Sequence, residues 1–550
     1  MAVGEPGFKQ GGVSRLARTP LACRMTEMLA APLSARRATA AALLLALGAL
    51  AVVVAGAPSV VFDLERFILP KELVLHITAA ALLALLPMRR PLRADTLDLL
   101  VGAFVAWGVA SSVLAVNPWL AARGAGLAFS AAVVFMAARR VGDAGRGGLV
   151  LGGLLAAAAL AAAIGAAGAY GVDWIWQAEA RAPAGSFGNR NGLAHFLAMA
   201  TPAGLAVTLR GRRPSSRLLA GGVLALLVLT LVLTRSRAAW LGTAAGVGVT
   251  LPLLFLGAAR PRLRRFLPVL MLMVLAAAAA VTVPNRLAWR SASPYAETLT
   301  GLTNYREGSG RGRLIQYTHS MQLVREAPLL GVGPGNWFVH YPRVTRPGDP
   351  SFAGHLTIPT NPWPSSDWMA LLAERGLPGA LLVLLAGGAA AALALRRVRG
   401  GAASTWTGPA AGAAAAGTLA AALVTGIFDA VLLLPGPAFL VAATSGVLLP
   451  RQGGRVLPGS GPPLQFAALG LALALVVLTG TWSAAVVRTA TSGDRAALAS
   501  AARLAPGEHR LRLLLGEKGG CAERLPHARA AVRLLPNHQG ARAAVEACGG

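Results

Sequence analysis

Runs of about 20 apolar residues, the length that crosses roughly 30 Å of hydrocarbon, recur along the chain at 38–60, 71–87, 97–116, 122–138, 148–169, 191–209, 218–234, 238–258, 266–284, 366–395, 408–427, 430–449 and 464–487. The pattern predicts an all-α fold, a polytopic membrane helix bundle of about 12–13 transmembrane helices. Alternation of spans and short loops is interrupted by a polar stretch at 285–365, and it changes character after residue 487. The expected organisation is a basic leader at 1–37, nine spans at 38–284, a long loop at 285–365, four spans at 366–487 and a small helical tail at 488–550. Many spans are rich in Ala and Gly, which lets helices approach closely and favours a rigid bundle. The leader has basic residues without a tidy signal-peptide cleavage site, and Met25 is an alternative start.

In the tail, apolar residues at helical spacing run over Ala496-Ala497-Leu498 to Leu504-Ala505-Pro506 and over Ala528 to Leu535-Pro536-Asn537, each helix stopped by Pro. An Ala-rich helix ending in Leu-x-Pro resembles a tetratricopeptide repeat, and one or two units fit. So few units need support, so the tail is expected to pack on the membrane domain or on an envelope protein partner. Cys521 and Cys548 both fall in the tail and Cys23 in the leader. Two readings stay open for the tail pair: a disulfide in an oxidising compartment, or two thiols on helices too far apart to meet.

Composition agrees with the span pattern, since 55% of the 550 residues are hydrophobic and 13% are charged. A net charge of +29 suits a nucleic-acid binder only if the basic residues share one soluble surface. They do not. With the N-terminus inside, alternate loops hold Arg89, Arg90 and Arg93; Arg139, Arg140 and Arg146; Arg210, Arg212, Arg213 and Arg217; Arg260, Arg262, Arg264 and Arg265; Arg396, Arg397 and Arg399; Arg451 and Arg455. This is the positive-inside asymmetry, which accounts for the charge and excludes nucleic acid as the partner. The same alternation places the long loop and the tail on the outer side, the periplasm of a bacterial inner membrane.

Candidate chemistry gathers on that outer side. One loop holds Gly185-Ser186-Phe187-Gly188-Asn189-Arg190-Asn191-Gly192, a tight hairpin holds Thr234-Arg235-Ser236-Arg237, and the long loop holds Gly310-Arg311-Gly312-Arg313-Leu314-Ile315-Gln316-Tyr317. Arginines can bridge phosphate oxygens through paired charge-assisted hydrogen bonds, which suits a lipid-linked diphosphate; the plainer reading is snorkelling to lipid headgroups. Gly331, Gly333 and Gly335, with Pro334, read as a turn, because no strand precedes and no helix follows as a dinucleotide site requires. Glu374 and Asp429 sit near the ends of spans, where acids are costly; each either touches substrate or bonds between helices.

Five short motifs in order carry a resemblance: Ser186-Phe187-Gly188-Asn189-x-Asn191; the Thr-x-Ser-Arg hairpin ending at Arg237; the helix opening at Arg313 that leads to Pro328-Leu329-Leu330-Gly331-Val332-Gly333-Pro334-Gly335-Asn336; Leu372-Ala373-Glu374-x-Gly376-Leu377-Pro378-Gly379; and Gly426-Ile427-Phe428-Asp429. Together, over roughly residues 40–450, the chain resembles the O-antigen ligase and Wzy-type polymerase superfamily of envelope glycosyltransferases. The resemblance implies an undecaprenyl-diphosphate-linked glycan as donor, transferred at the periplasmic face to lipid A-core, a growing glycan or a protein hydroxyl. It also implies that Arg237, Arg313, Arg311, Asn189, Asn191 and Glu374 bind the diphosphate and glycan.

The family pattern has a His-Asn or His-Ser pair eleven residues before the first Gly of the Leu-Ala-Glu-x-Gly run, and here that position is Ser365. A Ser hydroxyl does not titrate near neutrality, so Ser365 alone cannot be a general base. The catalytic candidates are therefore Asp367, His355 and Ser365, with His340 as a further loop histidine. Binding of the carrier without transfer, and transport, are the readings from other classes; a transporter would favour ionisable residues in mid-membrane, and Glu72, His76 and His195 are the few available. With no Asp-x-Asp pair and no His/Cys cluster at metal-ligand spacing on the outer side, the expected reaction is metal-independent and uses no cofactor. Glycan transfer in excess chelator should proceed at the untreated rate; a loss of activity on chelation would overturn this.

Overall fold

The computed structural model describes residues 1, 33–86, 93–172, 183–210, 213–256, 261, 263–289, 291–352, 358–400, 408–449, 451, 453–457 and 461–549. Within them the chain is 76% helical, and 11 helices are long and apolar enough to cross a membrane. These are α1 (Ala35–Val54), α2 (Glu65–Leu85), α4 (Pro118–Asp143), α5 (Gly147–Ala169), α6 (Arg190–Arg210), α7 (Pro214–Thr234), α8 (Arg237–Leu256), α9 (Leu263–Thr282), α13 (Asp367–Arg399), α14 (Pro409–Phe428) and α16 (Pro462–Arg488). Two further predicted runs are the shorter apolar helices α3 (Thr96–Ser112) and α15 (Pro435–Leu448). Each apolar run is thus a helix, in an all-α polytopic bundle. The starts follow local chemistry: Asp95 and Asp98 form a capping box on α3, Asn117 caps α4 ahead of Pro118, and Ser366 accepts N–H bonds from Trp368 and Met369 on α13.

The first two spans differ in extent from the apolar pattern. α1 stops at Val54 rather than residue 60, because Pro58 disfavours helix in the residue before it, and α2 begins at Glu65 rather than residue 71 and carries Pro70 within it. α13 is interrupted at Gly376, whose φ of 66° is left-handed. The freed groups are met by neighbours. Leu377 N donates to Pro328 O (2.8 Å), Trp107 Nε1 to Arg375 O (2.8 Å), Val332 N to Ala373 O (2.9 Å) and Gly333 N to Glu374 O (3.0 Å). Gly331, Gly333 and Gly335 all take positive φ there, as a turn folded onto the break.

Glycine lets helices come close. A Cβ at Gly246 on α8 would lie 2.9 Å from Gly417 O and 3.0 Å from Ala421 Cβ on α14, so these two backbones nearly touch. At one end of the bundle the arginine-rich loops gather. Two-residue strands, β1 (Arg93–Ala94) and β2 (Arg455–Val456), pair antiparallel. Beside them the fully buried Arg139 donates to Asp95 (2.8 Å), Asp98 (2.6 Å) and Leu449 O (2.8 Å), while Arg451 holds the other side of Asp98 (2.9 Å).

The opposite end holds the long loop and the tail. The described residues of 285–365 include three helices, α10 (Pro294–Thr300), α11 (Gly308–Glu326) and α12 (Trp337–Val344). Asp349 is the hub of this loop: it accepts from Ser351 N (2.8 Å), Tyr341 Oη (2.8 Å) and His319 Nδ1 (2.7 Å). The tail has four helices rather than the two read from periodicity: α17 (Arg495–Leu504), α18 (His509–Glu517), α19 (Cys521–Leu534) and α20 (Gln539–Gly549). The two missed helices, α18 and α20, are short, at 9 and 11 residues. Cys521 and Cys548 form a disulfide, their Cα atoms 5.1 Å apart, because α19 and α20 pack as a hairpin that returns the chain end to the start of α19. The tail packs on the bundle: Leu498, Leu511 and Leu515 bury against Phe62 and Trp482, and Arg510 grips Glu65 through two bonds of 2.6 and 3.2 Å.

Two outcomes follow from this packing. Gly246→Val should separate α8 from α14 and cost about 1–3 kcal/mol; an unchanged melting curve of the purified protein would contradict the close approach. Burial raises the Asp349 pKa, but its three hydrogen bonds outweigh this and hold the carboxyl below its ordinary value. Its stabilising effect is therefore present above about pH 4 and lost as pH falls through the depressed value. Asp349→Asn should lower the melting temperature at neutral pH and flatten its decline in acid, as read from melts across that range.

Candidate functional site

The site is built where the polar loops meet the bundle, at the end away from the arginine-rich loops. Gly185 and Gly188 both take positive φ, and the turn between them seats the Ser186 hydroxyl on Val53 O, at the end of α1. A Cβ at Gly188 would strike the Phe67 ring, so glycine is needed for this approach. The turn delivers Asn189 and Asn191 to the first turn of α6, where Asn189 Oδ1 accepts from Asn191 N (2.7 Å). Asn191 Nδ2 then donates to Asp429 Oδ2 (2.9 Å), and Asp429 Oδ1 accepts from Ala430 N (2.9 Å). His195, one turn further along α6, donates from Nδ1 to Ala430 O (3.1 Å), and its Nε2 lies 3.7 Å from Asp429 Oδ2.

α11 forms the facing wall. Its first turns carry Arg311 and Arg313, and among the described residues neither has a carboxylate within ion-pair distance. Arg313 Nε is buried without a hydrogen-bond partner. Gln316 Oε1 accepts from Ser365 N (2.6 Å) and its amide donates to Ser351 Oγ (3.1 Å), which ties the helix to both ends of the segment that leads into α13. The Tyr317 hydroxyl lies between Ser365 O (2.8 Å) and Ile427 O (2.6 Å). Burial, opposed by the Arg313 charge, pushes that hydroxyl up to about 12, so it stays a donor.

Between these walls lies a cavity of about 780 Å³. Lys71, Asn189, Asn191, His195, Arg311, Arg313, Gln316, Ser365 and Asp429 supply its polar lining, and Leu64, Phe67, Ile68, Phe187, Leu434 and Pro435 its apolar part. Lys71 is 3% exposed; its ammonium donates to Ala55 O and sits 5.0 Å over the Phe187 ring. Five of the residues singled out from the sequence, Asn189, Asn191, Arg311, Arg313 and Ser365, therefore share one cavity.

The others lie elsewhere. Arg237 stands behind the wall, donating to Gly301 O and to Ser309 Oγ at the start of α11. Asp367 accepts from Val431 N (2.9 Å) and Leu432 N (3.0 Å), holding the turn after α14. Glu374 is buried at the break in α13 and accepts from Trp337 N (3.4 Å). His340 is not in the lining, and His355 lies outside the described residues. Arg235 ends α7 in a left-handed conformation with its guanidinium 4.6 Å over Trp289 and 3.3 Å from Glu297. Lys71, Gln316 and the His195–Asp429 pair were not among the chosen site residues. The signal for the pair was an acid at a span end and a histidine in a span, but 234 positions of chain separate them and only packing joins them.

Among the described residues no group of three or more His, Cys, Asp or Glu is placed to hold a metal ion. Comparison with known proteins adds one finding. No curated protein matches the chain, but residues 222–384 match the family described as O-Antigen ligase. The match covers less than a third of the 550 residues, yet it runs from within α7 through the hairpin and the long loop into the broken helix α13. It includes Arg311, Arg313 and Ser365, on the wall that faces Asn191 and Asp429, and Arg237 behind that wall. On this match residues 222–384 of the chain, a multi-pass membrane protein by its helices, are similar to the O-Antigen ligase family.

Proposed function

We propose that this protein moves a glycan from an undecaprenyl-diphosphate carrier to an acceptor hydroxyl at the periplasmic face of the bacterial inner membrane. One observation carries the reading: a single cavity combines Arg311, Arg313 and Lys71, none with a carboxylate partner among the described residues, with a carboxylate at Asp429 and an apolar flank. An unpaired cation set beside apolar surface suits an anionic headgroup on a lipid chain. Paired Arg donors match phosphate oxygens, and fixed cations stabilise the charge that grows on a departing diphosphate. The sugar carbon becomes oxocarbenium-like as its bond to phosphate breaks, and the loop walls hold the acceptor in line.

The individual residues take distinct places in this reading. Arg311 and Arg313 meet the diphosphate, with Lys71 on the opposite wall. Asn189 and Asn191 order the glycan side of the cavity. Arg237 braces the start of α11 rather than touching the carrier, and Asp367 and Glu374 hold the turns that shape the site. Lipid A-core, a growing glycan or a protein hydroxyl all remain acceptors for a ligase, and a polymerase would use the same donor and face. The tail packs on α2 and α16 and, in this reading, recruits an envelope protein partner.

A second reading, binding of the carrier without transfer, is favoured by Ser365, whose amide is held by Gln316 and whose hydroxyl cannot serve as base. Transport finds less support. Glu72 is bound to Arg123 by bonds of 2.7 and 3.2 Å, and His76 contacts Ser130 at 2.7 Å, so these mid-span groups are engaged in helix packing.

Mass spectrometry of undecaprenyl-linked glycans in a strain lacking this protein decides among the readings. Long chains left on the carrier identify a ligase, single repeat units a polymerase, and an unchanged pool a protein that does not transfer. Arg313→Lys keeps the charge and removes the fork, so transfer should fall at least about tenfold, and Arg313→Ala about a hundredfold; transfer at the wild-type rate in both would show that Arg313 only anchors the chain to headgroups.

A further inference from the structure

The His195–Asp429 pair has a geometry that the diphosphate does not explain. Ala430 O can only accept, so the His195 Nδ1 that faces it at 3.1 Å carries the ring proton. In the neutral ring Nε2 is then a bare lone pair. It is buried without a hydrogen-bond partner, 3.7 Å from Asp429 Oδ2. Both atoms are acceptors just beyond hydrogen-bond distance, and a proton arriving at either would be shared once they closed by a few tenths of an ångström. The carboxylate itself is fixed by Asn191 Nδ2 on that same Oδ2 and by Ala430 N on Oδ1, which together leave it with lone pairs to spare. Asp429 is 15% exposed, His195 1%, and both border the cavity. The carboxylate can therefore meet a substrate while the imidazole lies behind it, an arrangement of an acid–base group and its orienting partner.

We propose that Asp429 is the catalytic base that takes the proton of the acceptor hydroxyl, with His195 as the positioning residue that shares this proton through Nε2. The proposal rests on the glycan-transfer reading and supplies the group that Ser365 cannot. In the step, the acceptor O–H bond breaks and its proton passes to Asp429. The acceptor oxygen bonds to the anomeric carbon, and the bond from that carbon to the phosphate oxygen breaks with its electron pair kept by the carrier diphosphate. The proton then leaves the pair to solvent or to the released diphosphate, which resets the site.

The test uses the full-length protein reconstituted into membranes from a strain lacking it, which supply both the carrier-linked glycan and the acceptor, with transfer followed by mass spectrometry of the carrier pool at several donor loads. Asp429→Asn keeps the shape and the Asn191 contact; it should lower kcat by about a hundredfold or more with KM for the carrier-linked glycan within about threefold. His195→Gln should lower kcat by about tenfold, again without a change in KM. Adding Ser365→His to the Asp429→Asn variant places an imidazole on the cavity wall and should recover at least about a tenth of the lost rate. A kcat for Asp429→Asn within about threefold of wild type, or a loss confined to KM, overturns the proposal. If Asp429→Asn does not fold, His195→Gln decides, since an unchanged kcat there overturns the shared proton. Wild-type protein that binds the carrier and transfers nothing overturns the glycan-transfer reading itself, which distinguishes that failure from this one.

Discussion

The left-handed break at Gly376 is the constraint on which the site depends. It opens a helix inside an apolar bundle, where an unmet carbonyl or amide costs several kcal/mol. The groups it frees are met by the 328–337 segment, through Pro328 O, Val332 N, Gly333 N and Trp337 N, and by Trp107. That segment is the continuation of α11. Pinning it into the break fixes the end of α11 over the bundle, and so holds Arg311, Arg313 and Gln316 against the cavity. Glycine is needed at 376 for its φ and because Leu329 O lies against it, where any side chain would collide.

The two ends of the bundle use charge in opposite ways. At the arginine-rich end, Arg139 and Arg451 are matched to Asp95 and Asp98, and the backbone oxygen of Leu449 completes the set. Such a fully bonded network serves packing, since its charges have no free valence for a ligand. At the other end Arg311, Arg313 and Lys71 face a cavity without a matching acid among the described residues. Asp429, the carboxylate there, is held by Asn191 and Ala430 N. Cations kept apart from carboxylates retain their attraction for an outside anion.

The tail is coupled to the same region. Arg510 holds Glu65 at the start of α2, the helix that also presents Phe67, Ile68 and Lys71 to the cavity. His509 stacks 4.9 Å from Phe338 on α12, and Asn537 donates to Val339 O (3.4 Å). The disulfide closes the outer hairpin of this unit. The first two of its four short helices, α17 and α18, gain a core by sharing Phe62 and Trp482 with the bundle.

Apolar run length by itself determined the helices and their order, because crossing a hydrocarbon layer demands about 20 apolar residues and leaves little freedom. Basic loops marked the two ends for a similar reason: charge must stay out of the layer. The site was legible in part. Arg311, Arg313, Asn189 and Asn191 stood out as polar residues on loops of one end, and they do share a cavity. Asp367 and Glu374 looked equally available, yet backbone amides that sequence cannot locate have claimed them. Lys71 and His195 were hidden for the opposite reason, and Asp429 was read with both roles open. Within a span a polar residue reads the same whether it bonds a neighbouring helix or lines a cavity, and only the packing of α2, α6 and the end of α14 decides which.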